Sequence, residues 1–310
     1  MALNVDAVGF VFPGQGAQAL GMGRWVVENH AVARGVFDQA AAVLGYDLLD
    51  LCLNGPAEKL DATVCSQPAL FVCSMAAVAV LRQTQPDLIS KVRATAGLSL
   101  GEYSAVCFAG GLDVNDALRL VQRRGQAMQA AADEVQSGMA SVIGLDLEAV
   151  KALCDQVRRE GEVLQPANIL CSGNIACSGH RAAIARLIEA GPAAGATRVI
   201  PLAVAGAFHT SLMRPAAEAL GEALRSVTIR DLAIPVYSNV DATPRQSGSE
   251  IADLLSQQLV SPVRWEDSIR QMIDDGIEGF VEVGAGRVLR GTIKRVARKI
   301  PLEGFGDGEV

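Results

Sequence analysis

The sequence predicts an α/β fold in which a mostly parallel sheet forms one large domain and a second, smaller sheet is inserted into it. Three observations carry that prediction. Short apolar runs alternate with segments of helical spacing at both ends of the chain, the pattern of a parallel sheet covered on both faces. The middle of the chain switches to the order β-α-β-β-α-β, the signature of a ferredoxin-like unit. Half of the 310 residues are hydrophobic and 4% are aromatic, with Ala, Val, Leu and Gly dominant. That composition suits close helix–sheet contacts and supplies apolar surface for one large core, or for a core plus a smaller inserted one.

Taken in order, residues 7–12 (AVGFVF) form an apolar run stopped by Pro13-Gly14, a buried strand leading into a loop. Residues 24–44 show helical spacing. Residues 68–83 read as a buried helix opening at Pro68. The apolar stretch 68–81 within it is short for a membrane span and rich in small residues. Residues 92–97 are a strand, LGEYSAVCFAG (100–110) a helix, and 116–132 another. The middle section runs strand 139–145, helix 147–159, strands 163–170 and 174–179, helix 181–191 and strand 196–204. This places the inserted domain at residues 136–205 and leaves 1–135 and 206–310 to the large domain. After His209 the alternation resumes with helix 211–225, strand 234–239, helix 249–259, strand 279–284 and a basic helix 288–299. The closing GDGEV reads as a loose tail.

Composition narrows the function classes. A formal net charge of −7 provides no global basic field for nucleic acid. Seven cysteines are scattered without a Cys-x-x-Cys pair, and there are three histidines. This argues against a zinc site and for reduced thiols in a reducing compartment. The N-terminal MALNVDAVGF has no basic segment ahead of its apolar run, so no signal peptide is expected. These readings predict a soluble cytoplasmic protein, and a monomer, since no uncovered apolar helix demands a partner.

Four segments can carry chemistry. Gly97-Leu98-Ser99-Leu100-Gly101, between a strand and a helix, fits a nucleophile elbow, in which small flanking residues let a serine stand above the sheet. There the Leu100 N–H and the helix dipole can stabilise an oxyanion. A plain tight turn is the alternative in a chain with 31 glycines. A serine nucleophile needs a base. His30 lies in a polar helical pattern and His180 in a turn, whereas His209 sits at a strand–helix junction among small residues (AGAFHTSLM) and is the best candidate; a satisfied structural histidine is its alternative. Phe12-Pro13-Gly14-Gln15-Gly16 ends a strand, where α/β proteins bind ligands, and Gln15 can lend its amide or its backbone to an oxyanion hole. Arg123-Arg124, within an otherwise apolar helical stretch, can present a guanidinium to a carboxylate; a surface salt bridge is the blander alternative for either arginine.

Read together, VFPGQGAQ, GLSLGEYSA, QRRGQAM, MASVIGL, GAFHTSLMRPA, PVYSNVD, QLVSPVRWEDSI and EVGAGRVLRGTIKR occur in an order that resembles the malonyl-CoA:acyl-carrier-protein transacylases of fatty-acid synthesis and the related acyltransferase domains of polyketide synthases. The resemblance runs from about residue 8 to residue 297. It implies a large α/β-hydrolase-like domain with a ferredoxin-like insertion. It also implies a ping-pong transfer through a malonyl-serine ester, without a metal or redox cofactor. Carried over, it makes Ser99 the nucleophile and His209 its base, oriented by the carbonyl of Gln258. Gln15 and Leu100 become backbone oxyanion donors, and Arg124 the partner of the malonyl carboxylate.

Three positions depart from the family pattern. Leu98 replaces a histidine before the nucleophile. Asn168 remains in the inserted domain, but Leu170 and Cys171-Ser172-Gly173 replace the rest of a polar motif, so a polar wall of the cleft is expected to be lost. Phe208 before His209 resembles malonyl-selecting polyketide acyltransferases and leaves little room for an α-methyl branch. For the acidic carrier protein, a cationic face is expected on Arg287, Arg290, Lys294 and Arg298, in a segment that also holds Arg295 and Lys299; an ordinary solvated helix face is the alternative. A free-standing polyketide-pathway acyltransferase, a hydrolase, or a non-catalytic carrier-protein binding module are the competing readings.

Overall fold

Five consecutive buried residues, Val8–Phe12, fit only an interior strand of a sheet covered on both faces, and the computed structural model, which describes residues 3–307, places them there. The strands are β1 (Val8–Phe12), β2 (Val92–Gly97), β3 (Ser137–Ile143), β4 (Leu164–Cys171), β5 (Asn174–His180), β6 (Arg198–Pro201), β7 (Val236–Tyr237), β8 (Pro244–Arg245), β9 (Gly279–Val283) and β10 (Leu302–Phe305). A six-stranded sheet has the order β10-β9-β1-β2-β7-β8 and is parallel apart from the β7–β8 pair. Its strands come from both sides of the middle section.

The middle section forms its own four-stranded antiparallel sheet, order β4-β5-β3-β6, the ferredoxin-like arrangement. Alternation along its strands divides the labour. Ala140, Val142, Ile175 and Cys177 pack under helices Leu147–Val157 and Arg181–Ala190, whereas Met139 and Ala176 point the other way and join the large core. The Ala207 N–H donates to Ser137 Oγ at 3.0 Å, tying the chain's exit from this sheet to its entry.

Helix Thr63–Thr84 lies in the middle of the large core, with 17 residues buried. It begins earlier than Pro68, which sits inside it and leaves the Val64 carbonyl without its helical donor. Burial around the helix holds it through that lost bond; helix Val114–Glu134 approaches so closely that a Cβ on Gly125 would lie 3.0 Å from the Thr63 carbonyl oxygen. It is the one described helix long and apolar enough to cross a membrane, and 89% of its most apolar window is buried in the protein.

The segment 24–44 is two helices, Arg24–Asn29 and Ala31–Leu44, because His30 is extended (φ −139°, ψ 112°) and its ring turns back, edge-on, to Trp25. Helix Trp265–Asp274 was not expected, although Trp265, Ile269 and Met272 recur at helical spacing and are fully buried. Strands β6 and β7 are shorter than their apolar runs. All seven cysteines are free and buried. Gly308–Val310, most of the expected tail, and Met1–Ala2 lie outside the described residues; before them, Asp307 Oδ2 accepts the Gly286 N–H at 2.5 Å.

Candidate active site

The site is built where β2 ends. Gly97 and Gly101 bracket Ser99, and neither has room for a side chain. A Cβ on Gly97 would lie 1.9 Å from the carbonyl carbon of Gly101, and one on Gly101 would lie 2.1 Å from the Phe12 carbonyl oxygen. The chain therefore reverses within a few residues, and Ser99 takes φ 51°, a left-handed conformation uncommon for serine. Asn239, after β7, clamps the turn: its Oδ1 accepts the Ser99 N–H at 2.6 Å and its Nδ2 donates to the Gly97 carbonyl at 2.7 Å.

Ser99 Oγ lies 2.9 Å from His209 Nε2, and His209 Nδ1 lies 2.9 Å from the Gln258 carbonyl oxygen. A carbonyl only accepts, so Nδ1 carries the proton and Nε2 is left to take one from serine. His209 has φ 63°, and Gln165 Nε2 donates to its carbonyl at 3.3 Å. Burial, with the Arg124 charge nearby, pushes the imidazole down to about 4 against the pull of its backbone acceptors. It is neutral at pH 7 and able to act as a base.

Arg123 is exposed and Arg124 is 1% exposed, so only the second can serve a buried ligand. Arg124 Nη1 donates to Gln67 Oε1 at 2.7 Å; its Nη2 donates to Ser99 Oγ at 2.8 Å and to Gln258 Oε1 at 2.9 Å. All three acceptors are neutral, and Nε has none among the described residues. Burial lowers the guanidinium pKa. None of its hydrogen-bond acceptors carries a charge, so the guanidinium is open to a directly bound carboxylate ligand.

A cavity of about 80 Å³ joins these groups. Ser99, His209, Arg124, Gln15 and Asn168 line it, together with the apolar Leu98, Met128, Met139 and Phe208. The Gln15 side chain is tied to Thr63 Oγ1 at 3.3 Å, which leaves its backbone as the oxyanion donor. Neither the Gln15 N–H nor the Leu100 N–H has an acceptor among the described residues. Asn168 reaches the cavity, and its buried Oδ1 has no partner among the described residues. Leu170 and Cys171 turn away, Leu170 against the cluster around Trp265, so those two replacements leave the cleft wall intact.

Four supporting side chains escaped the sequence reading. Gln67 holds Arg124, Glu102 Oε2 accepts from Gln258 Nε2 at 2.6 Å, Asn239 holds the elbow, and Gln165 holds His209. A faint signal existed for Gln67, a lone amide in an apolar helical run, and for Glu102, one helical turn past the nucleophile in a buried segment.

The remaining histidines stand elsewhere: His180 Nδ1 accepts the Val163 N–H at 2.8 Å in the small sheet. The basic helix also differs from expectation. Arg290 turns inward, with Nε 3.3 Å from the buried Glu282 Oε2, and is no surface cation. Helix Val288–Val296 ends before Arg298, because Ala297 leaves the helical conformation (φ −139°, ψ 87°), so Arg298 does not extend its face. Arg287, Lys294, Arg295, Arg298 and Lys299 are exposed.

The acyl transferase domain family matches this chain over residues 9–302. A malonyl CoA-acyl carrier protein transacylase of Bacillus subtilis (strain 168) is 40% identical over 307 residues, covering 98% of this chain and 95% of its own. An acyl carrier protein S-malonyltransferase structure from Vibrio cholerae superposes with a TM-score of 0.90 at 39% identity, covering 97% of each chain. A malonyl-transacylase solved in complex with its type II PKS acyl-carrier protein superposes with a TM-score of 0.91 at 38% identity, over 96% of this chain and 94% of that one.

Proposed function

The chain belongs to the acyl transferase domain family, and from that premise we propose that it transfers the malonyl group of malonyl-CoA to the phosphopantetheine thiol of acyl carrier protein, in fatty-acid synthesis. The observation that carries this reading is one contact set: Ser99 Oγ lies within hydrogen-bond distance of both His209 Nε2 and the buried Arg124. Ser99 Oγ attacks the thioester carbonyl while His209 Nε2 takes its proton, and the N–H groups of Gln15 and Leu100 receive the oxyanion. Collapse breaks the C–S bond, and His209 returns the proton to the leaving coenzyme A sulfur. The carrier thiol then attacks the malonyl-serine ester, giving its proton to His209 and restoring Ser99 Oγ–H. The Gln258 carbonyl stabilises the transient imidazolium, in the place a carboxylate takes in a triad.

Arg124 selects the substrate. A malonyl carboxylate can accept directly from the guanidinium, whose present acceptors are all neutral, whereas an acetyl group offers it no such partner. Phe208, beside His209 and lining the cavity, disfavours an α-methyl branch. Asn168 contributes the remaining polar wall. Arg287 and Lys294, exposed at the two ends of helix Val288–Val296, are the cations we assign to carrier-protein docking. We read residues 136–205 as the inserted domain and 1–135 with 206–310 as the catalytic one, since all four strands of the small sheet fall within the first range. The cytoplasm is the compartment we assign, on the evidence of seven free cysteines. A polyketide-pathway acyltransferase is the second reading, favoured by the similarity to a transacylase solved with a type II PKS carrier.

The test is intact-protein mass after brief incubation with malonyl-CoA, acetyl-CoA or methylmalonyl-CoA. A malonyl-sized adduct that requires Ser99 and moves to added holo carrier protein is expected. No adduct on folded protein would leave the carrier-protein binding module, and an adduct lost only to water would indicate a hydrolase. Transfer to fatty-acid against polyketide carrier proteins separates the two pathways.

A further inference from the structure

Arg124 and Glu102 are both buried, at 1% and 0% exposure, and are joined through one neutral amide. Gln258 Oε1 accepts from Arg124 Nη2 at 2.9 Å, and Gln258 Nε2 donates to Glu102 Oε2 at 2.6 Å. The Asn239 N–H reaches the same carboxyl oxygen at 3.3 Å. The other oxygen, Oε1, is buried and has no partner among the described residues. Arg124 favours the ionised carboxylate, and Asp241, after β7, opposes it; Tyr103 is next on its own helix, and His209 lies across Gln258. Burial is the dominant influence and pushes the carboxyl up to about 7. In the empty site it is therefore divided between both forms at neutral pH.

Resting on the transacylase reading, we propose that Glu102 is the counter-charge of Arg124 while the acyl site is empty, and that it takes up one proton on Oε1 when the malonyl carboxylate pairs with Arg124. One guanidinium cannot compensate two buried carboxylates. The proton comes from solvent, an O–H bond forms on Glu102, and no other bond changes. An arginine cation with a glutamate anion becomes an arginine cation with a malonyl anion and a neutral glutamic acid. The net charge of the buried site is the same before and after. By linkage, malonyl occupancy tightens proton binding at Glu102, and lower pH favours malonyl occupancy. Gln258 then has two tasks: its carbonyl orients His209, and its side-chain amide couples the two charges.

The experiment measures proton uptake during acylation by malonyl-CoA in weakly buffered solution at pH 8, with the malonyl ester counted in parallel by intact mass. Glu102→Gln is the reference, because it releases the same coenzyme A thiol and keeps a neutral acceptor for Gln258. Wild type is expected to take up ~0.5–0.9 proton more per ester than the variant. Equal proton counts, with ester formed in both proteins, would overturn the proposal while leaving the transacylase reading intact. Absence of ester in wild type would overturn that reading, and this inference with it. If Glu102→Gln does not fold, the wild-type acylation equilibrium decides. Corrected for thiol ionisation, it falls by up to about tenfold per pH unit between about pH 7 and 9, and a flat profile refutes the coupling.

Discussion

The cleft around Ser99 and the basic helix Val288–Val296 both present polar side chains, in opposite ways. In the cleft, Arg124, Gln67, Gln258, Glu102, Asn239 and His209 are buried or nearly so, and each is held by another of the set or by the Ser99 elbow. On the helix, Lys294 and its neighbours Arg295 and Arg298 are exposed, Arg295 reaching back to the Cys171 thiol, whereas Arg290 turns inward to the buried Glu282. The difference teaches where a single change propagates. A buried network transmits a lost partner as an unsatisfied group, costing about 1–3 kcal/mol or more, whereas solvated charges answer with tenths.

The largest effect expected on the cleft side is from the dyad. Ser99→Ala and His209→Ala should each lower malonyl transfer by on the order of 10⁴-fold, read as kcat/KM with holo carrier protein. A loss under about tenfold in either would show that the 2.9 Å Oγ–Nε2 contact is incidental. Next, Arg124→Ala should reduce kcat/KM for malonyl-CoA by about 10²–10³-fold, in line with a broken buried charge pair, and leave acetyl-CoA far less affected. Equal losses on both thioesters would make Arg124 a purely structural member of the network. Gly101→Ala drives a methyl into the Phe12 carbonyl oxygen, and denaturant unfolding should show about 3 kcal/mol or more of lost stability. On the helix side the effect shrinks: Lys294→Glu should raise KM for carrier protein about three- to tenfold at low salt, leave kcat unchanged, and fade as salt is added.

The smallest change expected in the wild type is its response to pH, which discriminates within the cleft. His209 is held down to about 4, below its unfolded range, so its contribution to stability is whole above about pH 6.5 and is lost as pH falls towards about 4. Glu102 is held up to about 7, so its contribution is whole below about pH 4.5 and is lost as pH rises through about 7. Between about pH 4.5 and 6.5 the two slopes oppose each other, and stability should be nearly flat. Glu102→Gln removes one slope, and the variant should gain stability as pH rises through that window, by up to about 1.4 kcal/mol per unit. A flat curve in the variant, measured by chemical denaturation across the window, would show that His209 is not held down.

How much of this could be read from the sequence follows the same division. The parallel sheet and the ferredoxin-like insertion were legible in the alternation of apolar runs with helical spacing. Ser99, His209, Gln15, Leu100 and Arg124 stood out as candidates because each sits in a motif beside a strand end or a glycine, whereas Gln258, at the end of a helix, followed only from the family resemblance. The supporting residues did not stand out, because their role exists only across long separations: Gln67 meets Arg124 from 57 positions away, and Glu102 meets Gln258 from 156. Helical spacing groups Arg287, Arg290 and Lys294 but carries no information on which side faces Glu282, so Arg290 was misplaced. The break at His30 and the passage of a helix through Pro68 are decided by packing, which local propensity does not encode.

One consequence of the elbow concerns biosynthesis. Ser99 and its glycines emerge from a ribosome well before Gln258, whose side chain meets the Ser99 carbonyl across 159 positions. Strand β1 takes β9, from the far side of the small sheet in chain order, as a parallel neighbour. A chain truncated before Gln258 lacks both the carbonyl that His209 Nδ1 meets and the amide that holds the Ser99 carbonyl, so the proposed dyad is left without its orienting group. The two halves of the proposed site thus meet through a contact that spans 159 positions of the chain.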